Sequence, residues 1–550
     1  MSNNIVRGTL LLSGAAFLSK FLGMIYVIPF YAIVNPQGAA LYQYAYVPYS
    51  IFISISTVGV PAAVAKFVSK YNALGDHEAS MRMFRKGMML MAVTGVLAFL
   101  SMFFSAEFLA KHTIVSKDLD NTVEDVKMVM RMVSFALLIV PMMSIARGFF
   151  QGHQSMGPTA VSQVIEQIVR IGFLLISCFI IINVLHGDVA VAVGFATFAA
   201  FIGALASCVV LYIYWKKRKQ SILSNMEQQQ KATHHISTAS LFRELFSYAG
   251  PFVIVSLAIP LLQLIDQYTF NRAMIDIAQA NIAEFAFQVI NFSGQKLVII
   301  PVTLATGLSL AILPALTSSF TNNNIQLLFK QINQALQIVV VLVIPAAVGL
   351  ASLAYPAYGS LYGLDRINIS GPLLAWEASI ALFLALITVT SSILQGINQQ
   401  NYAVISLLAG LLFKVLFNIQ FIHMFGAKGA IFATVIATLI TVALNIWRMQ
   451  QAIQFPLKQT IKRMMLVIIF STIMAIVLWI YKLIVGTFLP YEESRTAATI
   501  VLFGGVVIGG GVYLWLAQVS TLLEHIFGND VVHATLQKIS SMRKRVFHRS

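Results

Sequence analysis

The chain is a succession of apolar runs, each about as long as a bilayer's hydrocarbon core is thick. A helix that crosses this core needs about 20 mostly apolar residues and satisfies its own backbone where no water is present. The sequence supplies fourteen such segments, so we predict an all-α polytopic membrane protein with 14 transmembrane helices. They cover residues 8–34, 41–65, 87–110, 127–147, 158–184, 189–215, 248–271, 283–316, 328–355, 372–395, 400–423, 427–450, 463–486 and 496–519.

The composition excludes a soluble protein. Of the 550 residues, 58% are hydrophobic and 10% are charged, whereas a soluble domain carries about 25% charged residues. The formal net charge is +16, but Lys and Arg stand in the connections between apolar runs, which is typical of membrane proteins. We therefore expect membrane lipids around the chain and no nucleic-acid partner. Cys178 and Cys208 lie inside apolar runs and act as small apolar residues.

Basic residues favour alternate connections, which predicts the orientation in the membrane. With a cytoplasmic N-terminus, the outside connections hold few Lys and Arg, mostly beside acids, so both termini are predicted to be cytoplasmic. This places a multi-pass protein in the cytoplasmic membrane. The basic residues that would then lie inside include Lys66, Lys70, Arg82, Arg85, Lys86, Lys216, Lys217, Arg218, Lys219, Arg448, Lys458, Lys462, Arg463 and the tail Arg543, Lys544 and Arg545.

Two segments resemble each other at a constant offset. Residues 151–173 and 395–417 both begin Gln-Gly, Ser162 matches Ser406, and Arg170 matches Lys414. They fall at the connections of helices 4–5 and 10–11, so we predict two six-helix lobes in a parallel repeat about an axis along the membrane normal. The predicted parts are an N-lobe 1–215, a cytoplasmic linker 216–240, a C-lobe 241–452, two extra helices within 453–521 and a basic cytoplasmic tail 522–550.

Ionisable residues inside the apolar runs are the candidates for function. Lys20 lies about halfway along helix 1, Lys296 about midway along helix 8, and Asp266 in the outer half of helix 7. A charge near the bilayer centre costs between about 3 and about 17 kcal/mol, so it persists where it meets water, a partner or a ligand. Two cations and one anion leave a surplus positive charge that favours a phosphate or pyrophosphate. Alternatively, Asp266 neutralises one lysine and holds the lobes together.

Four further charged residues have a structural or a cavity role. Glu166 and Arg170 stand four apart on helix 5 and can pair along one face. Arg147, at the cytoplasmic end of helix 4, either snorkels to headgroups or forms a cytoplasmic gate. Lys414 has no acid at the position that matches Glu166, so it is a candidate for the cavity.

No catalytic or metal-binding pattern stands out. The sequence lacks G-x-x-x-x-G-K-[ST], H-E-x-x-H and G-x-S-x-G motifs, and its ten histidines are scattered, mostly in connections. We predict no catalytic residues, no metal and no cofactor, and a transporter rather than an enzyme; the enzyme alternative is a membrane-embedded transferase.

These features resemble the multidrug/oligosaccharidyl-lipid/polysaccharide (MOP) exporter superfamily, which combines fourteen helices with a six-plus-six duplication. Within it, Ser19-Lys20-Phe21-Leu22-Gly23 resembles the S-R-x-L-G motif of the lipid II flippase (MurJ) family. The run ARGFFQG…PTAVSQVIEQIVR resembles the Gram-positive polysaccharide-biosynthesis branch with the SpoVB and YtgP types.

The resemblance implies roles for particular residues. The family's cavity arginines fall on Lys20 and on Lys296, five residues before Pro301, where the charge is kept but bidentate geometry is lost. The family's further Arg-Asp pair falls on Tyr26-Val27, so the chain departs there. Helices 13 and 14 would form a groove for a lipid tail.

The implied function is a flippase for lipid II, the undecaprenyl-pyrophosphate-linked peptidoglycan precursor, working by alternating access with Lys20 and Lys296 holding pyrophosphate. Membrane potential, an ion gradient or consumption of product outside would drive it. The implied partners are a lipid-linked anionic substrate and cell-wall synthesis proteins. The alternatives are a flippase for another lipid-linked polysaccharide or teichoic-type glycan, a drug/cation antiporter, and a wall-synthesis scaffold.

Overall fold

The computed structural model describes residues 2–57, 60–227 and 255–522, together with residues 253 and 524. Every regular element within these residues is a helix. Twelve helices of the described part are long and apolar enough to cross a membrane. The predicted class, an all-α polytopic membrane protein, is therefore confirmed.

The twelve spans are consistent with the predicted fourteen. The first, Gly14–Thr57, is 44 residues long, and its backbone leaves the helical conformation at Asn35, where φ is 59°. It therefore contains most of helix 1 and most of helix 2 of the prediction. The predicted span 248–271 corresponds to the helix Ala258–Asp276, which is more polar and is not among the twelve.

The first of two compact units comprises Met1–Ser293 and Lys414–Ala430. Single π-helical turns interrupt it at Ile180–Val184 and Val289–Ser293. Its helices are α1 (Ser2–Ile25), α2 (Val27–Thr57), α3 (Val60–Ala73), α4 (His77–Thr113), α5 (Val123–Ser134), α6 (Ala136–Gly152), α7 (Met156–Phe179), α8 (Val189–Glu227), α9 (Ala258–Asp276) and α10 (Ala280–Gln288).

The second unit comprises Gly294–Phe413 and Ile431–Ser550. The division of the chain into lobes 1–215 and 241–452 follows different boundaries and stays a prediction. The remaining helices are α11 (Gly294–Thr321), α12 (Ile325–Ser352), α13 (Ala354–Tyr362), α14 (Ile367–Glu377), α15 (Ile380–Gly396), α16 (Gln400–Phe425, with residues in both units), α17 (Lys428–Ile453), α18 (Lys458–Gly486) and α19 (Arg495–Val519).

Polar residues at the helix starts fix where several of these elements begin. Thr122 and Asp125 form a capping box at α5, each accepting a hydrogen bond from the other's backbone N–H. Asp76 accepts from the backbone N–H of Ala79 at the start of α4. These bonds satisfy backbone donors that a helix leaves unpaired in its first turn.

Part of the predicted cytoplasmic linker is helical. Helix α8 continues past the predicted end of its span to Glu227, so residues 216–227 extend it. Residues 228–240 of the predicted linker, the first residues of the predicted span 248–271 and most of the predicted tail 522–550 lie outside the described residues.

The outward faces of the helices are apolar, as a lipid environment requires. Phe104 on α4 is 72% exposed, Trp479 on α18 59% and Val507 on α19 74%. Since large exposed apolar patches are rare on soluble monomers, these side chains are expected to contact lipid tails.

Helices α7 and α8 pack closely because Gly203 lets their backbones approach. A Cβ at Gly203 would come within 2.8 Å of the carbonyl oxygen of Glu166 and 2.9 Å of Cβ of Arg170. Small residues permit such close packing between membrane helices. This contact fixes the helix segment that carries both charged residues.

Candidate functional site

Lys20 lies on a face of α1 that is not used for packing. The neighbouring face contacts α7: Ser19 Oγ donates to the carbonyl oxygen of Gln163 at 3.5 Å, and Gly23 lies against Gln167. The Lys20 side chain is exposed, and the ion pairs found among the described residues do not include it. Its ammonium can therefore meet a ligand from outside the helix bundle.

Lys296 lies in the first turn of α11 and is half-buried. It belongs to the second unit, whereas Lys20 belongs to the first. The expectation that both lysines face one cavity stays a prediction.

Asp266 forms a buried ion pair with Lys414. The Lys414 Nζ lies 2.7 Å from Asp266 Oδ2 and also donates to the carbonyl oxygen of Leu262 at 3.1 Å. Asn418, one turn further along α16, donates to Asp266 Oδ1 at 3.1 Å. The Lys414 side chain is 0% and the Asp266 side chain 4% exposed. The sequence leaves both roles open, and the structure brings these two residues together as mutual counter-ions.

Arg147 ties three helices of the first unit together. Its guanidinium on α6 donates to Glu166 Oε2 on α7 at 2.6 Å, to Ser162 Oγ on α7 at 3.1 Å and to Ser207 Oγ on α8 at 3.0 Å. The spacing on helix 5 predicts a pair between Glu166 and Arg170, but the Glu166 carboxylate forms its ion pair with Arg147 instead. A gate role for Arg147 stays a prediction.

Arg170 lies instead among tyrosines. Its Nη2 donates to the hydroxyl of Tyr42 at 3.4 Å, and its Cζ lies 6.0 Å from the ring centroid of Tyr46. The Tyr42 and Tyr46 rings stack at 5.5 Å, and the Tyr42 hydroxyl lies 3.5 Å from that of Tyr26. The ion pairs of the described residues do not include Arg170.

A second polar cluster was missed by the sequence analysis. Buried Glu284, on α10, accepts hydrogen bonds from the backbone N–H of Asn121 at 2.9 Å and from Asn121 Nδ2 at 3.1 Å. Asn121 Nδ2 also donates to the carbonyl oxygen of Gln37 at 3.2 Å. The α4–α5 connection, the start of the second half of α2 and α10 therefore meet at one buried carboxylate.

Two amides of α9 extend this cluster. Gln267 Nε2 donates to the carbonyl oxygen of Tyr44 and to Thr113 Oγ1, both at 3.0 Å. Asn271 Nδ2 donates to the Tyr44 hydroxyl at 2.7 Å. The signal for this contact was present in the sequence, since Gln263, Asp266, Gln267 and Asn271 recur at helical spacing.

The charges of the first unit therefore differ in how they are compensated. Asp266 and Lys414 neutralise each other, as do Glu166 and Arg147, while Lys20 and Arg170 have no carboxylate in ion-pair distance among the described residues. Within the same part of the chain, no group of three His, Cys, Asp or Glu is placed to hold a metal ion. The arrangement suits binding of an anion.

Comparisons with known proteins agree with this description. Residues 5–320 match the family model described as polysaccharide biosynthesis protein. The lipid II flippase MurJ of Bacillus subtilis (strain 168) is 44% identical over 531 residues, 96% of this chain and 97% of that protein. Stage V sporulation protein B of the same organism is 23% identical, covering 74% of this chain and 76% of that protein.

Solved structures share the fold. A lipid II flippase MurJ in an inward closed conformation superimposes with a TM-score of 0.65 at 16% identity, covering 93% of this chain and 99% of that one. An inward-facing multidrug resistance MATE family transporter of the MOP superfamily gives 0.62 at 14% identity, covering 79% and 95%. The family resemblance inferred from Ser19–Gly23 and the ARGFFQG run is thus confirmed: the chain belongs to the polysaccharide biosynthesis protein family, in its MurJ group.

Proposed function

We propose that the protein is a lipid II flippase that moves the undecaprenyl-pyrophosphate-linked peptidoglycan precursor across the cytoplasmic membrane by alternating access. The observation that carries this proposal is the 44% identity to the Bacillus subtilis lipid II flippase over nearly the full length of both chains. It is a transporter rather than an enzyme, like the MurJ and MATE proteins that share its fold.

The pyrophosphate of the substrate is held by Lys20 and Lys296. Support comes from the exposed position of Lys20 and from its lack of an ion pair among the described residues. Ammonium groups bind phosphate as point charges without a fixed orientation. The sugar-peptide head crosses in a cavity between the two six-helix lobes. The lipid tail stays in the bilayer along the predicted spans 463–486 and 496–519.

Both termini lie in the cytoplasm, and the two lobes, which the repeat relates by an axis along the membrane normal, rock to expose the cavity to either side. Support for the orientation comes from the bias of Lys and Arg toward alternate connections. Membrane potential, an ion gradient or product consumption drives the cycle, and cell-wall synthesis proteins supply or receive the lipid.

Reconstitution tests this function. The purified protein is inserted into liposomes that carry fluorescent lipid II, and loss of fluorescence to a membrane-impermeant quencher reports the outer leaflet. The proposal expects quenching of the inner-leaflet pool to be much faster than in protein-free liposomes. Slow exchange of lipid II together with fast exchange of a teichoic-type or other lipid-linked glycan would identify that glycan as the substrate instead of lipid II.

A further inference from the structure

Arg170 and Lys414 occupy matching positions of the internal repeat but have opposite surroundings. Lys414 is 0% exposed and lies 2.7 Å from the Asp266 carboxylate, so its charge is compensated inside the protein. Arg170 is half-buried and has no carboxylate in ion-pair distance among the described residues. If both cations served only to join helices, both would be expected to carry a counter-ion.

The only nearby acid on the same helix is already engaged. Glu166 stands one turn before Arg170, yet its Oε2 accepts a 2.6 Å hydrogen bond from Arg147. The guanidinium of Arg170 carries five N–H donors. Within the described residues, one of them donates to the Tyr42 hydroxyl, over a long distance of 3.4 Å. The guanidinium therefore has donors to spare for an anion.

The tyrosines around Arg170 add hydroxyl groups to the same place. Tyr42, Tyr46 and Tyr49 lie on one face of α2 at helical spacing, and the Tyr46 and Tyr49 ring centroids are 5.6 Å apart. The Tyr26 hydroxyl approaches that of Tyr42 to 3.5 Å from the break between α1 and α2. Tyr46 and Arg170 are half-buried, whereas Tyr26 and Tyr42 are 4% and 3% exposed, so the cluster is reached from outside along Tyr46 and Arg170. A phenol can donate to a phosphate oxygen while its ring supports the guanidinium.

We propose that Arg170 and the tyrosines Tyr26, Tyr42 and Tyr46 form a phosphate-binding subsite in the first unit. This subsite rests on the proposed flippase function and deepens it: Arg170 gives the bidentate contact to a phosphoryl group of the lipid pyrophosphate that Lys20 and Lys296, as point charges, do not give. The chemistry recognised is a lipid-linked phosphate.

Binding measured on the full-length protein tests this subsite. The protein is placed in phosphatidylcholine nanodiscs and titrated with lipid II, and separately with phosphatidylglycerol, which carries a phosphodiester on an ordinary lipid. We expect Arg170→Gln to weaken lipid II binding about 10- to 100-fold, the effect of losing hydrogen bonds to a charged group. Arg170→Lys, which keeps the charge but not the fork, should bind with intermediate affinity.

The matched control is Arg131→Gln. Arg131 also lies over an aromatic ring, 4.9 Å from the centroid of Phe103, and donates to the backbone there. Its removal should leave lipid II affinity within twofold of the wild-type value. Thermal midpoints are recorded for all variants, and if Arg170→Gln does not fold, the comparison rests on Arg170→Lys.

Three results would overturn the subsite. They are lipid II affinity of the folded Arg170 variants equal to that of wild type, an equal loss in Arg131→Gln, and an Arg170 dependence seen for phosphatidylglycerol but not for lipid II. If the wild-type protein itself does not bind lipid II, the proposed function fails. If the wild type binds and flips lipid II, and the Arg170 variants bind it as tightly as the wild type does, the subsite alone fails.

Discussion

The Lys414 ammonium lies 2.7 Å from the Asp266 carboxylate, and both side chains are buried from solvent. A buried ion pair is costly to break, because the remaining charge loses its partner in a medium of low dielectric constant. Replacing both members by apolar residues of similar volume is often neutral. The pair joins α9 to α16 within the first unit.

Removing one member of this pair should destabilise the protein more than removing both. We expect Lys414→Met to cost about 3–5 kcal/mol, since it leaves the Asp266 carboxylate uncompensated. Lys414→Met combined with Asp266→Leu should recover most of this loss. The thermal midpoint of the detergent-solubilised protein measures both effects, and Lys111→Met, which removes an exposed partner of Glu107, is the control and should not lower it. A single variant as stable as the wild type would show that the pair carries no stability.

Replacing Arg147 should lower the stability of the protein, and any change in transport should follow from that loss. Arg147→Ala removes donors to Glu166, Ser162 and Ser207 and is expected to cost about 1–3 kcal/mol of stability. Arg147→Lys should recover part of this, since one ammonium cannot reach all three acceptors. Thermal midpoints and lipid II translocation are measured together. Normal stability with altered translocation would instead favour the gate role.

The cluster around Glu284 should hold together the helix ends that meet at this carboxylate. In a background with Cys178→Ser and Cys208→Ser, Thr113→Cys places a thiol at a position that is 1% exposed, beside Gln267. Adding Glu284→Ala removes the acceptor of two Asn121 hydrogen bonds, whose loss costs about 1–3 kcal/mol. Local opening should then be more frequent, so an impermeant maleimide should label the thiol at position 113 about tenfold faster. Glu107→Ala, an exposed acid on the same helix, is the control. Equal rates in all three proteins would contradict this role.

The orientation is testable at the two ends of α4. Leu74 and Val115 are exposed apolar residues just outside this helix, 54% and 45% exposed respectively. In the same cysteine-free background, Val115→Cys should react with an impermeant maleimide in intact cells. Leu74→Cys should react only after permeabilisation, because the positive-inside pattern places it in the cytoplasm. The reverse pattern would invert the topology.

Local physics was enough to predict the helices but not their partners. The apolar runs determined the spans because length and hydropathy are properties of each segment alone. The break at Asn35 falls in the predicted connection between spans 8–34 and 41–65, and the polar character of α9 did not prevent its prediction. Similarly, α8 extends to Glu227 because nothing in residues 216–227 forces a helix to end.

Pairings of charged residues depended on tertiary structure. Glu166 and Arg170 have suitable spacing on α7, but it is Arg147 from α6 that forms the ion pair with the carboxylate. Asp266 and Lys414 are 148 residues apart, so no local pattern links them. The tyrosine spacing 42, 46 and 49 was visible in the sequence, but only the structure brings Arg170 to it.

Lys20 and Lys296 are proposed to hold the pyrophosphate of lipid II during its passage across the membrane. The most direct measurement is leaflet-resolved labelling of lipid II in cells depleted of this protein and complemented with wild type, Lys20→Ala, Lys296→Ala or the exposed control Lys111→Ala. We expect outer-leaflet lipid II with wild type and Lys111→Ala, and accumulation in the inner leaflet with Lys20→Ala or Lys296→Ala. Normal translocation with Lys20→Ala and with Lys296→Ala would show that these lysines do not hold the pyrophosphate.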